Sequence, residues 1–370
     1  MSVFRFRKFV RSAGWGMLTR PDVVFNRLLN NYEMTRRAVR MLSQPSKIEV
    51  EITNRCNLAC VHCLRSKRGF KAQLGDLSPE DFDAILRQFP CTLTLTMAGF
   101  GEGLMHPHFL EMVRVARSRL PNANILSYTN GLLVGDIVSA EDLVRSGLGQ
   151  LHFSLDAARP ETYAIVRGNP YFPRILENIR AVIEARQRLG SPRPFVGVNF
   201  TMMNENFHEA AEYVRLGVDL GVDYIARPAL ILTHWGYSDG ARRIPRQELV
   251  EALTQARQAA VETSAPMPLG DYMTDPAEYF AHYEERRSQA YRRCIFLWNY
   301  IQIDPFGNLK LCCLHPVAAT HVWGNVLDTP FRRLWNSEAL QAARQAVREG
   351  RVPLAPCAQT CVRPDPELAD

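Results

Sequence analysis

The sequence predicts an α/β fold, a (β/α)6 partial TIM barrel followed by a small C-terminal unit built from a β-hairpin and a helix. Three observations predict it. From residue 47, short β-rich runs alternate about six times with amphipathic stretches of helical period. Consecutive strands joined by such helices pair in parallel through right-handed crossovers, which curls the sheet and gathers ligands at the carboxyl ends of its strands. Near the C-terminus, Ile301-Gln302-Ile303, a turn carrying Asp304, Pro305 and Gly307, and Leu309-Lys310-Leu311 read as a hairpin.

Taken in order, residues 1–46 form a basic helical arm. Residues 1–40 carry nine Lys or Arg against Asp22 and Glu33, and Phe6, Phe9, Val10, Ala13 and Met17 recur at helical spacing, a pattern that suits an anionic membrane surface or simply a packed arm with a solvated basic face. The barrel spans 47–227, with strands at 47–53, 92–97, 124–128, 150–155, 195–201 and 223–227. A helix opens at Ser78, which can cap it, with Pro79 at the first helical position and Glu80 and Asp81 at the positive end of the dipole. Residues 228–293, with helical runs at 246–262 and 279–293, read as a connector, and 294–370 as the C-terminal unit.

A chain of 370 residues with 46% hydrophobic content buries a large core. It has no run of about eighteen apolar residues and no signal-peptide core, so the expected location is the cytoplasm. The net charge of +6 comes with no recognised nucleic-acid module, which argues against that partner. Nine cysteines, most of them in metal-like groups, fit a reducing compartment, and Cys91 packs as a small hydrophobe.

The first cysteine group lies in Thr53-Asn54-Arg55-Cys56-Asn57-Leu58-Ala59-Cys60-Val61-His62-Cys63, on the loop leaving the first strand. Three thiolates at spacings of four and three can take three corners of a [4Fe–4S] cubane and leave the fourth iron open. A structural zinc site would want a fourth ligand nearby, and no cysteine follows Cys63 until Cys91.

This CX3CX2C stretch, with its preceding Thr-Asn-Arg, resembles the signature of radical S-adenosylmethionine (radical SAM) enzymes. The resemblance implies the same partial barrel. It also implies that the open iron binds the amino and carboxylate groups of S-adenosylmethionine, and that an electron from the cluster splits the sulfonium to a 5′-deoxyadenosyl radical. His62 stands where the family carries a residue near the adenine, and equally reads as a packing residue. Phe100 to Gly103 is similar to the family's Gly-Gly-Glu-Pro motif, with Phe100 and Gly103 as departures, so Gly101 and Glu102 carry over as contacts for the methionine amino group. Ser127, Thr129 and Asn130 end the third strand, Asn130 being either an adenosyl contact or part of a turn. Phe153-Ser154-Leu155-Asp156 and Arg167-Gly168 resemble a pattern of the peptide- and sugar-modifying branches. By that resemblance Ser154 and an arginine, Arg167 or Arg174, bind the carboxylate or ribose, which suits the guanidinium fork. Asp156 is either part of this set or a helix cap, and Asn199 is a further pocket candidate.

Cys294, Cys312, Cys313, Cys357 and Cys361 form the second group. Four of them can close a complete [4Fe–4S] site, and a zinc closure is comparable. The spacing from Gly307 to Cys312, Gly324-Asn325 and Trp335-Asn336 resembles the twitch module, a shortened SPASM domain. No cysteine lies between residues 314 and 356, so one auxiliary [4Fe–4S] cluster is expected, ligated by Cys294, Cys312, Cys357 and Cys361, with Cys313 spare or exchanging for Cys312.

A fully ligated cluster moves electrons rather than holding substrate. The expected activity is therefore that of an oxidoreductase acting on a small polar metabolite, a sugar or aminocyclitol, with a flavodoxin- or ferredoxin-type electron donor. Peptide maturation is the alternative. It ranks second because the 46 residues before the first strand are too few for a peptide-recognition domain of winged-helix size. A non-catalytic iron–sulfur or zinc protein is the reading from another class. Arg227, His234, Trp235 and Tyr237, after the sixth strand, are candidate substrate contacts.

Overall fold

The computed structural model describes residues 20–66, 73–230, 244–282, 294–310 and 321–357. Helix α1, Pro21–Thr35, precedes β1, Lys47–Val50; helix α2, Pro79–Arg87, leads to β2, Thr94–Met97; and helix α3, Phe109–Arg119, leads to β3, Asn124–Thr129. Helix α4, Ala140–Arg145, is followed by β4, Gln150–Ser154, then by helices α5, Pro160–Arg167, and α6, Phe172–Arg188. Strands β5, Phe195–Asn199, and β6, Thr201–Met202, precede helix α7, Ala210–Asp219, and strands β7, Tyr224–Ile225, and β8, Ala229–Leu230. Helices α8, Arg246–Glu262, and α9, Pro276–Ala281, are followed by β9, Tyr300–Ile303, β10, Leu309–Lys310, and helices α10, Phe331–Trp335, and α11, Glu338–Arg348.

The main sheet runs β10-β9-β1-β2-β3-β4-β5-β7, and β6 pairs with β8 in a separate two-stranded ribbon. Every pair from β9 to β7 is parallel, and only β10 runs against its neighbour. The carboxyl ends of seven strands therefore share one rim. The predicted helix start at Ser78 is present: Asp81 N–H donates to Ser78 Oγ at 3.0 Å.

All but the third of the expected strands are shorter than the sequence suggests, the third running one residue further to Thr129, and in two cases a contact explains the shortening. The first leaves the sheet after Val50 because Leu77 N–H donates to the Ile52 carbonyl and Thr53 bridges to Asp76. The fifth breaks at Phe200, where Thr201 N–H turns to donate to Asp156 Oδ1 at 2.7 Å.

The helical run expected at 246–262 is present, and three segments pack on the barrel in ways the sequence does not show. The supposed connector supplies α8, which packs on α7 through Leu249, Ala252, Leu253, Ala256, Ala259 and Ala260. Its alanine-rich buried face is weakly hydrophobic, so it reads as polar in sequence while allowing close helix packing. The C-terminal hairpin is joined to the barrel: Tyr300 to Ile303 pair in register with Lys47 to Val50, extending the sheet past β1. The second half of the basic arm is tied in as well. Asn30 donates to the Trp298 carbonyl at 2.7 Å, and Glu33 accepts from Leu42 N–H, Ser43 N–H and Ser43 Oγ. The amphipathic pattern centred on Phe6 to Met17 lies outside the described residues, as does most of the helical run expected at 279–293.

Where arm, barrel and hairpin meet, Arg344 is fully buried. Its guanidinium lies 4.3 Å over the Trp335 ring and donates to the carbonyls of Leu297, Trp335 and Val39. Burial pulls its pKa down to about 9. Arg344→Ala removes three donors from buried carbonyls and is expected to destabilise the fold by about 3 kcal/mol, read as a lower urea midpoint at unchanged slope.

On the lumen side of β1, Glu49 accepts from Tyr300 Oη at 2.5 Å and Gln302 Nε2 at 2.6 Å. Burial pushes its carboxyl from 4.5 to about 7, with those two hydrogen bonds opposing. A carboxyl whose folded pKa is raised holds a proton that the unfolded chain releases. Its stabilising contribution is complete below about pH 4.5 and is lost as pH rises toward 7. Glu49→Gln should therefore gain stability relative to the parent as pH is raised from about 5 to about 8, checked by paired denaturation midpoints at equal cluster loading.

Candidate active site at the carboxyl rim of the barrel

The loop after β1 is clamped on both flanks before it reaches the cysteines. Thr53 Oγ1 donates to Asp76 Oδ1 at 2.5 Å, Arg55 Nε donates to Asp76 Oδ2 at 3.1 Å, and Asn54 exchanges hydrogen bonds with the Gln73 carbonyl and Gly75 N–H. Beyond the cysteines, Val61 N–H donates to the Val166 carbonyl at 3.1 Å. Between these anchors Cys56, Cys60 and Cys63 border a cavity of about 330 Å³, walled also by His62, Gly99, Phe100, Gly101, Glu102, Tyr128, Thr129, Asn130, Ser154, Arg167 and Thr201. The three cysteines, His62, Gly101, Glu102, Asn130, Ser154 and Arg167, all expected at the first site, therefore stand on one pocket.

Each wall residue has a local cause. A Cβ at Gly101 would lie 2.1 Å from the Thr53 carbonyl oxygen, so only glycine lets the turn after β2 press against the cysteine loop. Glu102 N–H then donates to the Arg55 carbonyl at 2.7 Å. The buried Glu102 carboxylate accepts from Leu104 N–H at 3.1 Å, Thr129 Oγ1 at 2.9 Å and Asn130 N–H at 2.6 Å. Burial raises its pKa and these donors oppose the rise. A carboxylate offers about four acceptor positions, so one remains for a ligand cation. Asn130 Nδ2 donates to Asn57 Oδ1 at 2.7 Å, locking the third strand's end to the cysteine loop.

Arg167 and Asp156 form a buried pair, Nη1 to Oδ2, at 2.9 Å. Asp156 adopts a left-handed backbone conformation (φ 55) and caps nothing: its oxygens hold Arg167 and Thr201 N–H. Burial draws the Arg167 pKa down, but the charges of Cys60 and Asp156 more than offset it and hold the guanidinium above its ordinary value. The alternative arginine, Arg174, pairs with Asp136 at the surface, so Arg167 is the one at the pocket. Burial also pushes the Cys60 thiol up to about 11 and raises Cys56. His62 is lowered by burial and keeps a neutral ring, with Nε2 3.8 Å from Asp156 Oδ2.

Other expectations fall elsewhere. Ser127 is buried and donates to the Met97 carbonyl, bracing the sheet. Asn199 offers its carbonyl to the N–H groups of Leu155 and Asp156. Arg227 donates to the Gly270 carbonyl at 2.7 Å and lies over Tyr272. Cys91 is partly exposed rather than core, with its sulfur 3.9 Å from the Asp22 carbonyl. Cys294 and Cys357 are partly buried, whereas Cys312, Cys313, Cys361, His234, Trp235 and Tyr237 lie outside the described residues. Tyr128 and Thr201 line the pocket without having been expected. The period of two that places Asn130 on the rim also places Tyr128 there.

The pocket suits an anion-bearing ligand beside an iron cluster. Two buried polar atoms of the pocket wall, His62 Nδ1 and Arg167 Nε, have no hydrogen-bond partner among the described residues. Such groups are rarely left unsatisfied, which suits a polar guest at this wall. Among the described residues no three Cys, His, Asp or Glu side chains stand close enough to share a single metal ion.

The radical SAM superfamily model matches residues 50–217, and an iron–sulfur cluster-binding domain model, SPASM, matches residues 294–362. A tungsten-containing aldehyde ferredoxin oxidoreductase cofactor-modifying protein of Pyrococcus furiosus is 31% identical over 177 residues, 47% of this chain and 48% of that protein, so this match spans only about half of either. A PqqA peptide cyclase of Streptomyces rochei is 27% identical over 295 residues, 79% of this chain and 75% of that protein. Among solved structures, Streptococcus suis SuiB bound to its precursor peptide SuiA shares the fold with a TM-score of 0.66 at 15% identity, covering 90% of this chain and 73% of that one. With both domain models matched and the parallel barrel in place, the chain carries a radical SAM domain at residues 50–217 and a C-terminal SPASM iron–sulfur domain at residues 294–362, and these domains imply [4Fe–4S] clusters and S-adenosylmethionine as cofactors.

Proposed function

We propose that this radical SAM enzyme modifies a peptide. Its first cluster would be held by Cys56, Cys60 and Cys63, and its second by Cys294, Cys312, Cys357 and Cys361. The observation that carries the peptide reading is that likeness to a peptide cyclase runs over 79% of this chain, far enough to include sequence beyond the barrel. The preference for a sugar or aminocyclitol rested only on the length of the segment before β1, and it gives way. When bound, the open cluster and S-adenosylmethionine supply hydrogen-atom abstraction from an unactivated C–H bond.

The protein's own groups have separate tasks in this reading. Arg167, preset by Asp156, offers its fork to the methionine carboxylate or ribose. Glu102 offers its remaining acceptor position to the methionine ammonium. Asn130, Ser154 and His62 border the adenosyl portion, and Gly101 keeps the turn close. A flavodoxin- or ferredoxin-type donor would supply the reducing electron, and a cluster held by Cys294, Cys312, Cys357 and Cys361 would supply a one-electron acceptor, so that loss of a hydrogen atom, an electron and a proton would sum to a two-electron oxidation or a cross-link. The described residues include no helix long and apolar enough to cross a membrane.

The test is anaerobic incubation of the reconstituted enzyme with reductant and S-adenosylmethionine, scoring 5′-deoxyadenosine release and product mass against precursor peptides encoded beside its gene and a panel of sugars and aminocyclitols. Turnover coupled to a peptide mass change is expected; coupled turnover of a sugar without any peptide change sinks the reading. Cys60→Ala should lower iron by about four per chain and abolish cleavage. Arg167→Lys should keep the iron and weaken S-adenosylmethionine binding about tenfold, because a single ammonium cannot replace the fork.

A further inference from the structure

From the contacts around β1 we infer that Glu51 is a positioning residue: its carboxylate sets the turn that receives S-adenosylmethionine and ties that turn to the C-terminal hairpin. The inference rests on the site reading above and concerns a residue outside the cluster loop and the pocket wall.

Glu51 directly follows β1 and is 3% exposed. Its Oε1 accepts the N–H of Phe100, inside the turn that precedes Glu102. A Cβ on Gly99 would lie 2.3 Å from Glu51 Cδ and 2.4 Å from its Oε1, so the carboxylate occupies the space a side chain there would need. The turn is thus held between Glu51 on one side and the Thr53 carbonyl beneath Gly101 on the other.

The other neighbours of Glu51 belong to the hairpin. Lys310 on β10 lies 3.1 Å from Asp304 at the end of β9, and the charges of Lys310, Asp304 and Glu49 all act on the Glu51 carboxyl. Its backbone N–H donates to the Ile303 carbonyl at 2.8 Å, completing the tie to β9. The hairpin tip also seats on the flank of the cysteine loop, where a Cβ at Gly75 would meet the Phe306 ring at 2.6 Å. A shift of the hairpin therefore reaches the methionine turn through residue 51, whose backbone N–H is held by the Ile303 carbonyl and whose carboxylate holds the Phe100 N–H.

The experiment titrates S-adenosylmethionine into the reduced, reconstituted holoenzyme and follows the change in the cluster's electron paramagnetic resonance signal, with iron content and thermal midpoint as controls. Glu51→Ala should need about tenfold more S-adenosylmethionine, the size of one lost hydrogen bond to a charged acceptor, at unchanged iron content. Glu51→Gln, whose amide oxygen still accepts the Phe100 N–H, should stay near the parent. Gly99→Ala should weaken binding in the parent and much less in the Glu51→Ala background, because the clash partner is gone. The inference is overturned if Glu51→Ala binds like the parent, if Glu51→Gln fails as Glu51→Ala does, if Glu51→Ala loses iron, or if Gly99→Ala costs the same in both backgrounds. A parent protein whose signal ignores S-adenosylmethionine would instead overturn the site reading itself.

Discussion

The parallel pairing of β1 with β2 on one side and β9 on the other is the constraint on which the rest of the molecule depends. Parallel strands put their carboxyl ends on one rim, so β1 delivers the cysteine loop beside the glycine turn of β2 and beside the hairpin turn of β9. In an antiparallel neighbour those turns would face the opposite end of the sheet. Antiparallel β10 follows β9 back down, which explains how a short hairpin can present Asp304 and Lys310 to the lumen within a few residues of each other.

That geometry concentrates ionisable groups in a low-dielectric rim, and the pocket is organised around the resulting cost. Cys56, Cys60 and Glu102 are all pushed toward their neutral forms by burial. Left alone, the thiols would resist the deprotonation that iron ligation demands. Arg167 is the countercharge, close enough to both Cys60 and Asp156 that each raises its pKa. Asp156 is fixed in turn by the Thr201 N–H, so it orients the guanidinium without being free to claim the whole of it. The buried Arg167 Nε, without a partner among the described residues, is the donor that this arrangement leaves at the pocket wall.

Much of this was legible in the sequence where local chemistry decides. The spacing of Cys56, Cys60 and Cys63, the Ser78-Pro79 helix start and the polar ends of the third and fourth strands each point to their place without tertiary knowledge. Choosing between Arg167 and Arg174 was not possible, because both follow β4 at helical positions and only the buried Asp156 separates them. The hairpin's pairing with β1 was hidden because its strand lies about 250 residues downstream, and long-range parallel pairing leaves no local signal. Helix α8 has the bounds expected for it, 246–262, but its seat on α7 was hidden for a different reason. Its buried face is mostly alanine, whose small apolar area carries little periodic contrast even though it permits the close approach to α7.

The joined hairpin also bears on how a second cluster would work with the first. A module hanging on a flexible linker would leave the distance between two redox centres to chance, whereas electron transfer from a transient substrate species needs a fixed geometry. Here β9 is laddered to β1, Tyr300 and Gln302 grip Glu49, and Phe306 seats on Gly75. Lys310, the last described residue of β10, is only two positions before Cys312 in the chain. Arg344 anchors the far side of the same unit to the arm through the Val39 carbonyl and to Leu297 and Trp335. Burial and hydrogen bonding at these few contacts fix the described part of the C-terminal unit against the barrel, so the hairpin and the cysteine loop share one rigid edge of the sheet.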